Sequence, residues 1–306
     1  MIKLYNNFNI QNIHKKSIIL IGNFDGLHLG HQKLFYLAKR YKKKFSLKVG
    51  VLTFEPMPKM YFNEKIKNFR ISNKKQKINL LNKFNVDFVI IKKFNKKFSK
   101  IKSIDFIKKI LSKKLNARFI FVSNNFRFGN KREGDVRQLI KYEHQCNYKI
   151  IKPKPLLIKK KVVSSTLIRN YLQKGKLDKI NKLLNREWSI EGKVQKGRQL
   201  GKKIGFPTAN IDIKDYVLGC PGVYAVRGKI AKSSKYLKGI ANLGYRPTFN
   251  GKKILLEVHL FNFSGNLYNK YLTVEFLKFI RKEKKFRNID QLKKQIKADL
   301  LIAKKI

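Results

Sequence analysis

His28 and His31 stand three residues apart in "GNFDGLHLGH" (22–31), directly after the apolar run 17–21. The chain has five histidines in 306 residues, so this pair concentrates a scarce side chain. Where a strand hands over to a helix, glycines let backbone amides approach a phosphate, and the helix N-terminus adds partial positive charge. The i,i+3 spacing sets both imidazoles on one face of a first helical turn. Two donors there suit stabilisation of charge building on an α-phosphate and its pyrophosphate leaving group, without a covalent intermediate. The competing readings are a surface coincidence or a metal pair. A metal pair recruits further ligands, and His14, His144 and His259 stand in no ligand motif. Nucleotide handling is the expectation.

Two other groups of residues carry chemistry. Ser164, Ser165 and Thr166 form a hydroxyl cluster followed by the cation Arg169 at an expected helix start. Hydroxyls and a guanidinium so placed bind phosphate, while the bland reading is a simple N-cap. Glu257 lies inside the strand-like "ILLEVHLF" (254–261), in a chain poor in acids. An unpaired carboxylate inside a buried strand is expensive, although alternation also permits a solvent-facing residue.

The elements that must position these groups follow from periodicity. The first half alternates strand patterns at 17–24, 47–54, 86–91 and 117–122 with helical ones at 31–45, 73–83 and 103–115, the last with Ser103 as expected N-cap. Such alternation predicts a parallel sheet with helices on both faces and ligands beyond the carboxyl ends of the strands. "GNFDGLHLGH", "TFEPMP" (53–58) and "VSNNFRFGN" (122–130) all fall at those ends. After about residue 184 short alternating stretches separated by Gly, Pro and Asn turns predict an antiparallel sheet or small barrel, closed by a terminal helix over 288–306.

Composition bounds the rest. Two cysteines, Cys146 and Cys220, make no disulfide framework and no CxxC pair, and no run has the length of a membrane span. A cytoplasmic protein with no membrane partner is expected. Lys+Arg number 72 against 18 Asp+Glu, a formal net charge of +54. That balance suits a nucleic-acid binder. The lysines run evenly along the chain in a Lys-, Ile- and Asn-rich background, which reads as compositional drift. Non-specific RNA affinity is then incidental, and no specific nucleic-acid partner is expected. Oligomeric state is left open.

With these residues in view, "GNFDGLHLGHQKL" (22–34) resembles the bacterial bifunctional riboflavin kinase/FAD synthetases, within the wider HxGH nucleotidylyltransferases. The similarity continues in order through "TFEPMP", "NNFRFGNKREGD" (124–135), "VSSTLIRNYL" (163–172), "GRQLGKKIGFPTAN" (197–210), "PGVYAV" (221–226), "ANLGYRPTF" (241–249), "LEVHLFNF" (256–263) and "FIRKEKKF" (279–286). The resemblance implies an α/β plus β architecture. Residues 1–184 would form a Rossmann-like nucleotidylyltransferase domain, and 185–306 a small riboflavin kinase-like β-barrel with a terminal helix.

It implies phosphorylation of riboflavin to FMN, then adenylylation of FMN to FAD with release of pyrophosphate, ATP and Mg²⁺ serving both. His28 and His31 would hold phosphates, on a turn built by Gly22 and Gly26. Asn23 and Asp25 would shape that turn and help place the metal-nucleotide, and Ser164, Ser165, Thr166 and Arg169 would bind phosphate. Phe54, Pro56, Asn125, Phe126 and Phe128 would form a flavin wall, for which core packing is the alternative reading of the phenylalanines. In the kinase half, Gly201, Lys202, Gly205 and Pro207 would cradle the nucleotide, Thr208 and Asn210 would take Mg²⁺, and Glu257 would be the base. Arg281, Glu283 and Phe286 would line the flavin side.

The chain departs from the family pattern at Leu29, Met57, Ser123, Asn124 and Lys202. Ser123 replaces a glycine expected to need backbone freedom, which predicts a weakened adenylyltransferase. Lys202 for Arg would exchange a bidentate contact for a point charge. Two other readings are a kinase with little adenylyl transfer, and a basic RNA-binding protein on a decayed enzyme scaffold.

Overall fold

The computed structural model describes residues 2–66, 68–197, 201, 204–231, 233–248 and 251–306. The chain divides into two compact units, Met1–Ile66 with Lys77–Val163, and Lys67–Gln76 with Ser164–Ile306.

The first unit is built on strands β1 (Lys3–Tyr5), β2 (Ile18–Ile21), β3 (Val49–Glu55), β4 (Phe88–Lys93) and β5 (Phe119–Phe121). A short β6 (Arg127–Phe128) pairs with β7 (Gly134–Asp135), β8 (Lys149–Ile151) completes the main sheet, and β9 (Leu157–Ile158) pairs with β10 (Lys161–Val162). The main sheet runs β1-β4-β3-β2-β5-β8 and every pairing in it is parallel. Its central strands β2 and β3 are nearly all apolar, interrupted in the buried part of β3 by Thr53, as burial on both faces demands. Successive side chains then divide between two cores. Ile19, Ile21, Leu52, Phe54 and Ile90 point to one, and Ile18, Leu20, Val49, Val51 and Val89 to the other.

Helix α1 (Leu29–Phe45) covers the second core with Leu34, Phe35 and Ala38, the stripe its sequence spacing predicts. A one-turn α2 (Pro58–Phe62), then α3 (Lys74–Asn82) and α4 (Lys96–Ser99), follow. The 103–115 segment, α5, is helical as expected, but Ser103 is not its cap. Lys102 holds that position without a side-chain bond, and the Ser103 N–H donates instead to the Glu133 carboxylate at 2.6 Å. Beyond Asp105 the helix is π-wound over Phe106–Lys114. Its buried residues Phe106, Ile107, Ile110, Leu111 and Leu115 recur at four or five residues, a spacing the wider turn keeps on one face. Helix α6 (Val136–Lys141) follows.

The second unit opens with α7 (Ser165–Gln173) and α8 (Leu177–Leu184). Strands β11 (Trp188–Gln195), β12 (Ala209–Asp212), β13 (Gly222–Ile230), β14 (Leu237–Thr248), β15 (Gly251–Leu260) and β16 (Tyr271–Lys282) close an antiparallel barrel in the order β11-β12-β15-β14-β13-β16. Register shifts between β13 and β16 bend the pair toward closure. Leu272, Val274 and Phe276 alternate inward along β16. Residues 67–76, which run into the first turn of α3, belong to this unit. Trp188 donates its indole N–H to the Ile71 carbonyl at 3.0 Å, and Gln76 bonds to Ser189 and to the Tyr216 hydroxyl. Helix α9 (Ile289–Lys304) ends the chain. No helix among the described residues is long and apolar enough to cross a membrane.

Candidate active sites

The turn after β2 is wound tightly. Phe24, Gly26 and Leu27 all take positive φ, at 48°, 77° and 39°. Glycine adopts this region freely, but Phe24 and Leu27 do so only because burial holds them, at 2% and 0% exposure. Asp25 is buried within the turn, whereas Asn23 is exposed.

His28 is the N-cap of α1 rather than part of its first turn. Its Nδ1 accepts the His31 N–H at 3.4 Å. A ring nitrogen that accepts carries no proton, so His28 is protonated at Nε2. The two imidazoles still share a face, because they stack with centroids 3.7 Å apart and planes 20° from parallel. A Cβ at Gly30 would come within 3.1 Å of His28 Nδ1 and 3.0 Å of the Val163 carbonyl, so a side chain there would press on the ring and the carbonyl. Burial holds the His31 pKa well below 6.5, with His28 and Lys77 adding to the effect, and the ring is neutral at neutral pH. Its Nδ1 is buried and has no hydrogen-bond partner among the described residues.

Sequence reasoning missed Lys77 and Thr53, which stand beside this turn. Thr53 is fully buried near the end of β3, and Lys77, on α3, is 5% exposed. The Lys77 ammonium donates to Thr53 Oγ1 at 3.2 Å and to the Asn23 carbonyl at 3.3 Å. A signal existed: Lys77 occupies the stripe of Leu80, Leu81 and Phe84, where an apolar residue belongs.

The expected flavin wall divides. Phe54 and Phe128 are core residues at 8% and 7% exposure, while Phe126 is half-buried and stacks on Phe128 at 5.5 Å. Phe62 adds an exposed ring packed edge-on against Tyr61 and Phe94, which the sequence reading did not single out. Pro56 follows a cis peptide bond. Asn125 is exposed, and its Oδ1 accepts from the Ser123 hydroxyl at 2.9 Å. Ser123 does not take a positive φ, so the backbone here requires no glycine and the expected strain is absent.

In the second unit, Ser164 is the N-cap of α7, accepting the Leu167 N–H at 3.2 Å, with Ser165 and Thr166 in the first turn. Arg169 packs its guanidinium 3.7 Å above the centre of the Phe69 ring and donates from Nε to the Phe69 carbonyl at 2.8 Å. On the barrel, Glu257 of β15 stands directly opposite Asn210 of β12 and Asn242 of β14. Cross-strand partners share a face, so a half-buried carboxylate is flanked by two amides. The Asn210 side chain is 7% exposed, and its Oδ1 has no hydrogen-bond partner among the described residues.

Thr208 lies two residues before Asn210, on a segment pinned where the Pro207 carbonyl accepts from His259 Nδ1 at 2.8 Å. The Gly201 carbonyl accepts from the Phe206 N–H at 2.7 Å, and Gly205 turns the loop with a φ of 90°. Lys202 lies outside the described residues. A buried amide oxygen without a partner among the described residues, two positions from a hydroxyl, supplies oxygen donors of the kind a hard divalent cation takes. Arg281 makes a bidentate pair with Asp299 of α9, at 2.7–3.0 Å, and its guanidinium lies 5.9 Å from the Phe286 ring centre. The Glu283 carboxylate sits where a Cβ on Gly244 would fall.

Family models match the chain in two parts, FAD synthetase over residues 10–167 and riboflavin kinase over 184–306. The bifunctional riboflavin kinase/FMN adenylyltransferase of Buchnera aphidicola subsp. Schizaphis graminum is 41% identical, over 97% of this chain and 96% of its own. The chain belongs to this family. The Haemophilus influenzae enzyme of the same description is 38% identical, over 97% and 96% of the two chains. A crystal structure titled as a macrolide-efflux protein from Streptococcus pneumoniae has the same fold, with a TM-score of 0.86 at 28% identity over 98% of each chain. Efflux is said there of that protein. The present chain is a bifunctional riboflavin kinase and FMN adenylyltransferase. Its substrates are riboflavin, FMN and ATP, the last used with a divalent metal.

Proposed function

We propose that residues 1–184 carry adenylyl transfer and residues 185–306 the kinase step, so that the product of the second is the substrate of the first. The observation that carries the reading is the stacked pair of His28 and His31 at the start of α1. A phosphate oxygen of FMN attacks the α-phosphorus of ATP, the bond to the β-phosphate oxygen breaks, and pyrophosphate leaves. His28 Nε2–H and the neutral His31 donate to the phosphate oxygens as charge builds, on the turn formed by Gly22, Asn23, Asp25 and Gly26. Ser164, Ser165, Thr166 and Arg169 bind phosphate as well. Phe126, with Phe54, Pro56, Asn125 and Phe128 around it, offers the isoalloxazine ring its apolar contact.

In the kinase step Glu257 takes the proton of the ribityl 5′-hydroxyl as its oxygen attacks the γ-phosphorus and ADP leaves. Mg²⁺, held by Thr208 Oγ1 and Asn210 Oδ1, would neutralise the phosphate oxygens of ATP. Gly201, Lys202, Gly205 and Pro207 form the nucleotide loop. Glu283 and Phe286 serve the flavin side, where Arg281 supports them from its pair with Asp299. The enzyme works on small molecules in the cytoplasm, without a specific nucleic-acid partner.

The test is to incubate the protein with riboflavin, ATP and Mg²⁺ and separate the flavins by chromatography. FMN followed by FAD is expected, with His28→Ala stopping at FMN. Glu257→Ala should make no FMN yet convert added FMN to FAD. Full FAD formation by His28→Ala, or FMN formation by Glu257→Ala, overturns the assignment of that residue.

A further inference from the structure

Lys77 is the one buried lysine among the described residues, and nothing in the two reactions above uses it. An ammonium removed from water is costly unless oxygen atoms surround it. Here one oxygen belongs to the phosphate turn and the other to the adjacent end of β3. Nζ donates to Thr53 Oγ1 and to the Asn23 carbonyl, and the Thr53 hydroxyl donates its own proton to the same carbonyl at 3.4 Å. The Asn23 carbonyl therefore accepts from two donors that are themselves bonded to each other. Because the peptide unit is planar and trans, holding that carbonyl toward Lys77 turns the Phe24 N–H the opposite way. It thereby sets the peptide plane from which the left-handed turn at Phe24, Gly26 and Leu27 begins.

We propose that Lys77 is a positioning residue for adenylyl transfer: its buried ammonium locks the Asn23 carbonyl and keeps a fixed positive charge within reach of His31. The inference rests on the reading of His28 and His31 as the phosphate-holding pair. The charge has a direct consequence. The groups that act on His31 are its own burial, His28 at the start of α1 and Lys77 from α3, and all three favour the neutral ring. A neutral His31 donates without repelling its stacked partner. The lysine thus holds the geometry of the turn, and its charge adds to the burial that keeps the donor beside it neutral.

The experiment compares Lys77→Met, Lys77→Arg and His31→Ala in the full chain. It measures kcat and KM for FMN to FAD, the pH profile of that step, the His31 Cε1–H titration by NMR, and riboflavin to FMN as an internal control for folding. Lys77→Met is expected to lower kcat for FAD formation by on the order of 10²-fold, as a displaced reacting geometry does. KM and FMN formation should stay near wild type, the His31 titration should move up by a small step while burial still holds it low, and Lys77→Arg should recover part of the rate. A Lys77→Met protein with normal kcat and an unmoved His31 titration overturns the proposal, provided His31→Ala is inactive in the same step. Equal loss of both activities with a lower melting temperature also overturns it, because Lys77 is then structural only. Full adenylyl transfer by His31→Ala overturns the site reading itself, and this inference with it.

Discussion

Two imidazoles stacked at 3.7 Å are compatible with neutral rings, whereas two imidazolium ions at that separation would repel each other strongly. With His31 held neutral by its burial, the stacked pair of donors avoids that repulsion. Losing one such donor costs about 10²–10³ in kcat where the donor faces developing charge. His28→Ala is expected to show a loss of that size in FMN-to-FAD turnover, read by single-step kinetics with FMN supplied. The pH dependence of stability follows from the same ring. Burial lowers the folded-state pKa of His31, and of His14, below 6.5. Below that value the unfolded chain binds more protons than the folded one, so stability is fully present above 6.5 and is lost as pH falls through the folded pKa. The melting temperature should fall as pH drops from 7.5 to 5, and the fall should be shallower in His31→Gln.

A buried ion pair joins helix α9 to the barrel beside its apolar contacts, which makes the element testable through a single residue. Asp299 is 2% exposed and takes both its strongest bonds from Arg281 on β16, with Gln295 as a third donor. Removing one partner of a buried pair leaves an uncompensated charge and costs about 3–5 kcal/mol. Arg281→Ala should lower the unfolding free energy by about that amount in urea denaturation, whereas a pair formed only at the surface would contribute about 0–1 kcal/mol. At the opposite end of the chain, α1 starts where it does because His28 caps it and Gly30 leaves room for the cap. A methyl group at Gly30 has to move either the His28 ring or the Val163 carbonyl. Gly30→Ala should therefore reduce adenylyl transfer while riboflavin phosphorylation continues, measured on one sample with both substrates in turn.

At the scale of the whole molecule, two reactions joined by a shared intermediate predict complementation. A mixture of His28→Ala and Glu257→Ala proteins should convert riboflavin to FAD although neither variant does so alone, because each keeps the step the other lacks. Chromatography of the flavins reads the outcome directly, with FMN appearing before FAD. Ligand binding should also be visible in stability. A flavin or nucleotide present at 100 times its Kd adds about 2.7 kcal/mol to the state that binds it, and melting curves with and without FMN check this. The +54 charge enters neither argument, since the lysines that carry it are spread along the chain rather than gathered on the groups that do chemistry.

Much of this was legible in the residues alone. Largely apolar runs at 18–21 and 49–54 predict strands buried on both faces, and glycine next to scarce histidines marks the turn between β2 and α1. Local patterning suffices there because strand period, turn chemistry and helix stripe are each written within a few neighbouring residues. The 67–76 stretch was not legible as part of the barrel unit, since its bonds to Trp188, Ser189 and Tyr216 span more than a hundred positions. Nor was the role of Ser103, displaced as a cap by a glutamate thirty residues on. Lys77 hides among 72 basic residues, and Asn210 Oδ1 becomes notable only when the strands around it close and leave it without a donor among the described residues. Sequence determined which elements form and which side chains can do chemistry. Only tertiary structure decided which polar atoms are buried, because desolvation depends on what the rest of the chain places around them.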